Sequence, residues 1–208
     1  MPYFIPVRRM QNHKQIRRAI RAKRRSLSRQ EQHNHSLSAA NHFIINIRLI
    51  RSRRIALYLA ADGELDPQPL IQRLLKLNKK LYLPALKPGT NNALWFSEFH
   101  PNDRLQTNRF GIAEPNIRRR KPIPAWSLDL IIMPLVAFSS EGVRMGMGGG
   151  YYDRTLAYQL QHKQWIRPAL IGFAHDFQRV ERLSRQPWDV PLHGVITEQG
   201  YQSFRFTN

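Results

Sequence analysis

Residues 142 to 154 read Gly-Val-Arg-Met-Gly-Met-Gly-Gly-Gly-Tyr-Tyr-Asp-Arg, with five glycines in thirteen positions. Glycine lacks a Cβ, so such a backbone takes positive φ and lets a ligand come close. Its successive N–H groups form a concavity for anions. A helix starting near Asp153 adds its positive end. Arg144 brings a permanent charge and a planar donor fork suited to phosphate. No Gly-Lys-[Ser/Thr] closes the loop, so it is not a P-loop, and Tyr151 stands where a dinucleotide fingerprint needs its third glycine. The plain alternative is a solvated strand-to-helix turn, which would not need Arg144, Tyr151, Tyr152 and Asp153 gathered around the glycines. Asp153 would repel phosphates unless a Mg²⁺ ion lay between them, and that ion takes one or two carboxylates together with phosphate oxygens. Its other reading is a helix cap.

These residues need elements to hold them. From Lys14 to Leu27, Ile16, Ile20 and Leu27 recur at helical spacing among Arg and Lys, which predicts a basic amphipathic helix. Lys14 and Arg18, four apart, share a face of it. A second helix is expected from Gln30 to Ile50. The short apolar runs Ile55–Ala61, Leu81–Ala85, Leu94–Phe99, Leu128–Met133, Ala169–Ala174 and Gly194–Thr197 read as strands, the first buried on both faces. Asp66-Pro67 reads as the start of a helix reaching Lys76. Another helix is expected from Asp153 to Gln161, and the segment from Ile112 to Trp126 reads as loop.

Strands alternating with helices predict an α/β fold: a mostly parallel central sheet with helices on both faces, three-layered and Rossmann-like, with the N-terminal basic helices packed against it. Residues 1–208 are expected to form one domain, with 1–54 a basic helical segment and 55–208 the α/β core. Ligands in such folds gather beyond the carboxyl ends of the strands. That rule singles out Ala60–Asp66, Pro134–Asp153 and Ala174–Asp189. Glu64 falls at this edge, where its alternative reading is a surface acid beside Asp62 and Asp66.

The 208-residue chain has 42% hydrophobic and 23% charged residues, which argues against global disorder. It has no cysteine, which excludes a disulfide framework, thiolate metal sites and a cysteine nucleophile. The longest apolar run, Leu130–Phe138, is far short of the roughly 20 residues of a membrane span. Arg8-Arg9 lacks the following apolar segment of an export signal. A cytoplasmic protein that makes no membrane contact is the expectation. Residues 1–54 carry 14 Lys and Arg against one acid, out of a net charge of +19. Such an arm suits nucleic acid, an anionic surface or a polyanionic small molecule.

The loop GVRMGMGGGYYDR and its lead-in DLIIMPLVAF resemble the 5-formyltetrahydrofolate cyclo-ligase family, also called methenyltetrahydrofolate synthetase. Companion motifs follow in order: Lys14 and Arg18, Tyr58-Leu59 to Glu64, FGIAEP at Phe110–Pro115, and WDVPLHGVITE at Trp188–Glu198. The resemblance spans roughly residues 14–200. It implies an ATP-dependent cyclisation of 5-formyltetrahydrofolate to 5,10-methenyltetrahydrofolate, with phosphorylation of the formyl oxygen and release of ADP and phosphate. It also implies roles. Lys14, Arg18 and the run Arg144, Met145, Gly146, Met147, Gly148, Gly149, Gly150, Tyr151 and Tyr152 bind ATP. Leu59, Glu64 and Met147 to Tyr151 meet the folate, polyglutamylated or not. Asp153 and Asp189 hold Mg²⁺. Catalytic acid–base groups are not named by it, and a monomer is expected. Two other readings stand beside it: a nucleic-acid-binding protein using the basic helix, and a catalytically silent folate or nucleotide binder on the same fold. The first leaves Arg144–Asp153 without a purpose and has few aromatics among its basic residues.

Overall fold

The computed structural model describes residues 12–90, 92–161 and 167–204. The Arg8-Arg9 pair lies outside them. Helix α1 (His13–Ser26) starts at Asn12, whose side chain accepts from the Lys14 N–H. Helix α2 (Arg29–Ile44) opens on a reciprocal Ser28–Glu31 capping box. The helix expected to reach Ile50 breaks after Ile44. Asn46 turns its side chain to the N–H groups of Arg48 and Leu49 and caps a single turn, α3 (Ile47–Ile50), because a short polar side chain competes with the helical ladder.

Strand β1 (Arg54–Ala56) is shorter than its apolar run. The chain leaves the sheet there and turns through Asp62 and Gly63, both at positive φ, before α4 (Gln68–Lys76). Then come β2 (Lys80–Leu86), β3 (Leu94–Glu98), and a hairpin of β4 (Leu105–Thr107) and β5 (Ala113–Pro115). Strand β6 (Leu130–Met133) precedes a second hairpin, β7 (Ala137–Phe138) with β8 (Arg144–Met145). The glycines lead into α5 (Tyr151–Leu156) and α6 (Tyr158–Gln161). Strands β9 (Ala169–Phe173), β10 (Gly194–Thr197) and β11 (Gly200–Ser203) complete the sheet.

The main sheet runs β11-β10-β9-β6-β1-β2-β3. Its five inner strands are parallel and both edges are antiparallel. Alternate residues of one strand feed two different cores, as a doubly covered sheet requires. Leu130 and Ile132 face a layer built from Ala40 and Phe43 of α2 and Leu70 and Leu74 of α4. Ile131 and Met133 face Leu156 of α5, with Leu128 and Ala125 of a 3-10 turn. A third cluster fixes α1, where Ile16 and Ile20 pack on Ala137, Val143, Met145 and Phe177.

This strand order positions the site. The chain steps from β1 to β2 on one side, then returns to place β6 on the other side of β1. The connections after β1 and β6 therefore leave in opposite directions and open a crevice between them, the switch point where open α/β sheets bind ligands. No helix among the described residues is long and apolar enough to cross a membrane.

Candidate active site

A cavity of about 840 Å³ occupies that crevice, within the size range of small-molecule sites. Leu59 and Glu64 enter it from the segment after β1, and Pro134 and Leu135 from the end of β6. The residues from Arg144 to Asp153 form one side, Leu83 to Leu86 of β2 another, and Asp189 with Trp188 closes a third. Phe110 and Glu114 of the β4–β5 hairpin complete the wall.

The glycine loop is held open by its own carbonyls. Gly146 O accepts from Arg17 Nε at 2.9 Å, and Gly149 O accepts from Arg154 at 2.6 Å and from Asn92 Nδ2 at 3.2 Å. With the carbonyls turned to these side chains, the N–H groups of Gly146 to Tyr151 find no acceptor among the described residues. Gly148 has φ +102°, and Gly150, the residue before α5, has φ +66°. Both conformations strain any residue with a Cβ, so the path of the loop depends on them.

Arg144 is buried and donates through Nη2 to Asp153 Oδ1, while its Nε is buried with no partner. A donor left unsatisfied in a cavity wall is costly unless a ligand supplies the acceptor. Asp153 Oδ1 also accepts from the Val190 N–H at 3.3 Å, which ties the loop to the segment carrying Asp189. Asp189 Oδ2 accepts from the Gln186 N–H at 2.8 Å. Each aspartate thus spends one oxygen on its neighbours and keeps the other uncommitted among the described residues. Two hard carboxylate donors beside a nest of free amides match what a Mg²⁺–phosphate complex needs.

At the other end, Glu64 accepts from the Ala61 N–H at 3.1 Å, and its Oε1 lies 3.9 Å from Arg24 Nη1. Burial pushes its carboxyl upward, and the Ala61 N–H and Arg24 oppose that. Arg24 itself is fully buried, paired through Nη2 with Asp62 at 2.9 Å. Burial raises the hydroxyls of Tyr58 and Tyr152, so both stay protonated donors. Tyr151 is steadied by Arg109 on its hydroxyl and by the edge of Phe110. Phe110, Met147 and Trp188 are more than half exposed at this wall, a supply of flat and polarizable surface for a planar ligand.

Leu59, Glu64, the whole run from Arg144 to Tyr152, Asp153 and Asp189 all line this one cavity. Lys14 and Arg18 do not. The face of α1 that meets it carries His13 and Arg17, because Ile16, Ile20 and Arg24 take the buried stripe and one residue turns a helix by about 100°. Lys14 and Arg18 lie one step further round, exposed. Sequence reasoning did not single out Arg17, Arg24, Arg109, Glu114 or Asn92. Arg24 had a visible signal, since it continues the Ile16, Ile20 spacing by another four residues.

A model of the 5-formyltetrahydrofolate cyclo-ligase family matches residues 9–198. The 5-formyltetrahydrofolate cyclo-ligase of Escherichia coli (strain K12) is 42% identical over 178 residues, covering 86% of this chain and 96% of that protein. The one from Haemophilus influenzae is 40% identical over 186 residues, covering 89% and 97%. The NMR structure of Aquifex aeolicus 5,10-methenyltetrahydrofolate synthetase superposes with a TM-score of 0.77 at 32% identity, covering 94% of each chain.

Proposed function

The chain belongs to the 5-formyltetrahydrofolate cyclo-ligase family, and from that premise we propose how its cavity closes 5-formyltetrahydrofolate to 5,10-methenyltetrahydrofolate with ATP as co-substrate. The observation that carries the reading is the placement of free loop amides, Asp153, Asp189 and Glu64 around one cavity. The free N–H groups of Gly146 to Tyr151 cradle the triphosphate. The unpartnered Nε of Arg144 and the guanidinium of Arg17 complete its charge balance. Lys14 and Arg18, on the neighbouring exposed face of α1, act through their field on the approaching nucleotide. Asp153 and Asp189 hold Mg²⁺, which would neutralise charge on the phosphate oxygens.

Glu64 accepts hydrogen bonds from the amino edge of the pterin, and Leu59 and the run Met147–Tyr151 support its ring. This aligns the formyl oxygen with the γ-phosphorus, and positioning with charge neutralisation is most of what phosphoryl transfer needs. The formyl oxygen takes the γ-phosphoryl group and ADP leaves. N10 then attacks the activated carbon and gives its proton to solvent, and inorganic phosphate departs as the ring closes. The N–H groups that bound the γ-phosphate stay in place to receive the leaving phosphate.

The net charge of +19 favours polyanions, polyglutamylated folates among them. We place the reaction in the cytoplasm, where ATP is supplied. A nucleic-acid role for α1 is disfavoured because Arg17, Arg21, Arg24 and Arg25 are engaged within the chain. Absorbance of the methenyl product, with ADP and phosphate measured in parallel, tests the reading. One ADP and one phosphate per methenyl group are expected, and none of the three without ATP or without Mg²⁺. Cyclisation that proceeds at the same rate without ATP would overturn it.

A further inference from the structure

On the side of the sheet that carries α2, away from the cavity, three side chains converge. His35 lies on α2, His175 just past β9, and Glu198 in the turn between β10 and β11. Their nearest ligating atoms all lie within 4.8 Å of one another. His35 Nδ1 is 3.0 Å from His175 Nδ1 and 3.9 Å from Glu198 Oε1. We propose that His35, His175 and Glu198 form a binding site for a divalent cation of the zinc class, separate from the folate and nucleotide site.

The surroundings orient each donor. His175 is fully buried, and its Nε2 lies 3.3 Å from the carbonyl oxygen of Gly63. A carbonyl only accepts, so Nε2 carries the hydrogen and Nδ1 holds the lone pair, facing His35 and Glu198. That is how a metal-ligating imidazole is normally fixed, by donating its other nitrogen to a backbone carbonyl. Phe177 stacks on the His175 ring at 5.1 Å and 8° and stops it from turning. Both oxygens of Glu198 face the Asp176 N–H, at 3.2 and 3.0 Å. Its main-chain carbonyl accepts from Ser38 Oγ at 2.8 Å. The Asp176 N–H thus holds the carboxylate while Ser38 holds the Glu198 backbone.

The donor set is two imidazoles and one carboxylate. That composition suits Zn²⁺ and its neighbours rather than Mg²⁺ or Ca²⁺, which prefer all-oxygen shells. Two nitrogens 3.0 Å apart need only a small separation to reach one zinc ion at about 2.1 Å each. Without metal, the two Nδ1 atoms share a single proton. When a cation binds, the His35 proton moves from Nδ1 to its Nε2, so that both Nδ1 lone pairs face the metal, and the cation joins α2 to the ends of β9 and β10. Gly63, whose carbonyl anchors His175, precedes Glu64, so the joint reaches the loop that meets the pterin.

The test is cobalt binding by the full-length chain after treatment with a chelator. One equivalent of Co²⁺ per chain with visible d–d bands is expected, together with a rise in Tm that added chelator reverses. His35→Gln and Glu198→Gln should lose the bands and weaken binding by at least about tenfold, while His33→Ala and His100→Ala should keep both. Circular dichroism of the two glutamine variants separates a lost ligand from a lost fold. Absence of the bands and of the Tm rise in the wild-type chain, or unchanged binding in folded His35→Gln, would overturn the proposal.

Discussion

At the residue scale, two different resources meet in one wall: main-chain donors left free by glycine geometry, and arginines whose own partners hold that geometry. Arg17 belongs to the second kind, since its Nε holds the Gly146 carbonyl and its Nη2 would lie 3.7 Å from a Cβ placed on Gly148. Arg17→Ala removes a charged hydrogen bond worth about 1.5–3 kcal/mol. The KM for ATP should rise by roughly tenfold or more, with a smaller change in the KM for the folate. Equal changes in both constants would argue against a nucleotide contact. Gly148→Val places a branched side chain at φ +102°, a strain on the order of 1–3 kcal/mol, and fills the cradle. Calorimetry should show ATP affinity falling at least tenfold, and an unchanged affinity would contradict the cradle. Much of this scale was legible in the chain itself. Gly-x-Gly-Gly-Gly beside Arg144 and Asp153 marks in the sequence, by residue type and spacing, the loop for which we propose anion binding. The face of α1 was not legible, because seven basic residues crowd residues 14–25 and only packing of Ile16, Ile20 and Arg24 selects which of them look inward.

At the element scale, the segment between β1 and α4 is held from α1. Arg21, Arg24 and Arg25 all bind the Asp62 carboxylate. Burial pushes that carboxyl up, but the hydrogen bonds from Arg21, Arg25 and Arg24 outweigh it and hold the pKa at about 2. The folded value lies below the ordinary 3.8, so the unfolded chain takes up the proton first. The stabilisation is complete above pH 3.8 and fades as pH falls towards 2. Urea midpoints measured across this window should drop more steeply for the wild-type chain than for Asp62→Asn. Parallel curves would contradict the assignment. The elements that sequence periodicity missed share a cause. Strands β4, β5, β7 and β8 are two or three residues long, too short for an alternation to show. Strand β1 stops two residues into its apolar run: Leu57 keeps one bond to the Tyr82 carbonyl of β2, and the chain then leaves the sheet towards the turn at Asp62 and Gly63. Strands β6 and β9, by contrast, are buried on both faces and read clearly as apolar runs.

At the scale of the whole molecule, strand order and charge act together. The switch point between β1 and β6 brings Glu64 and Asp153 to one cavity from positions 89 residues apart in sequence. The net charge of +19 raises the local concentration of anionic ligands. Raising ionic strength to about 0.5 M shortens the screening length to a few ångström, so kcat/KM for ATP should fall several-fold with little change in kcat. A salt-independent kcat/KM would show that the excess charge does not steer substrate. The three-layer α/β arrangement was foreseeable because alternating apolar runs and amphipathic helices admit few packings. The crevice was foreseeable only as a rule about strand ends, since no local pattern says which strand lies beside β1. The most direct measurement is the turnover of Asp153→Asn with 5-formyltetrahydrofolate and saturating Mg-ATP, followed by methenyl absorbance. A loss of about a hundredfold or more in kcat, with the Tm close to that of the wild-type chain, is the expected result. Turnover near the wild-type rate would contradict a divalent ion held between this aspartate and the phosphates.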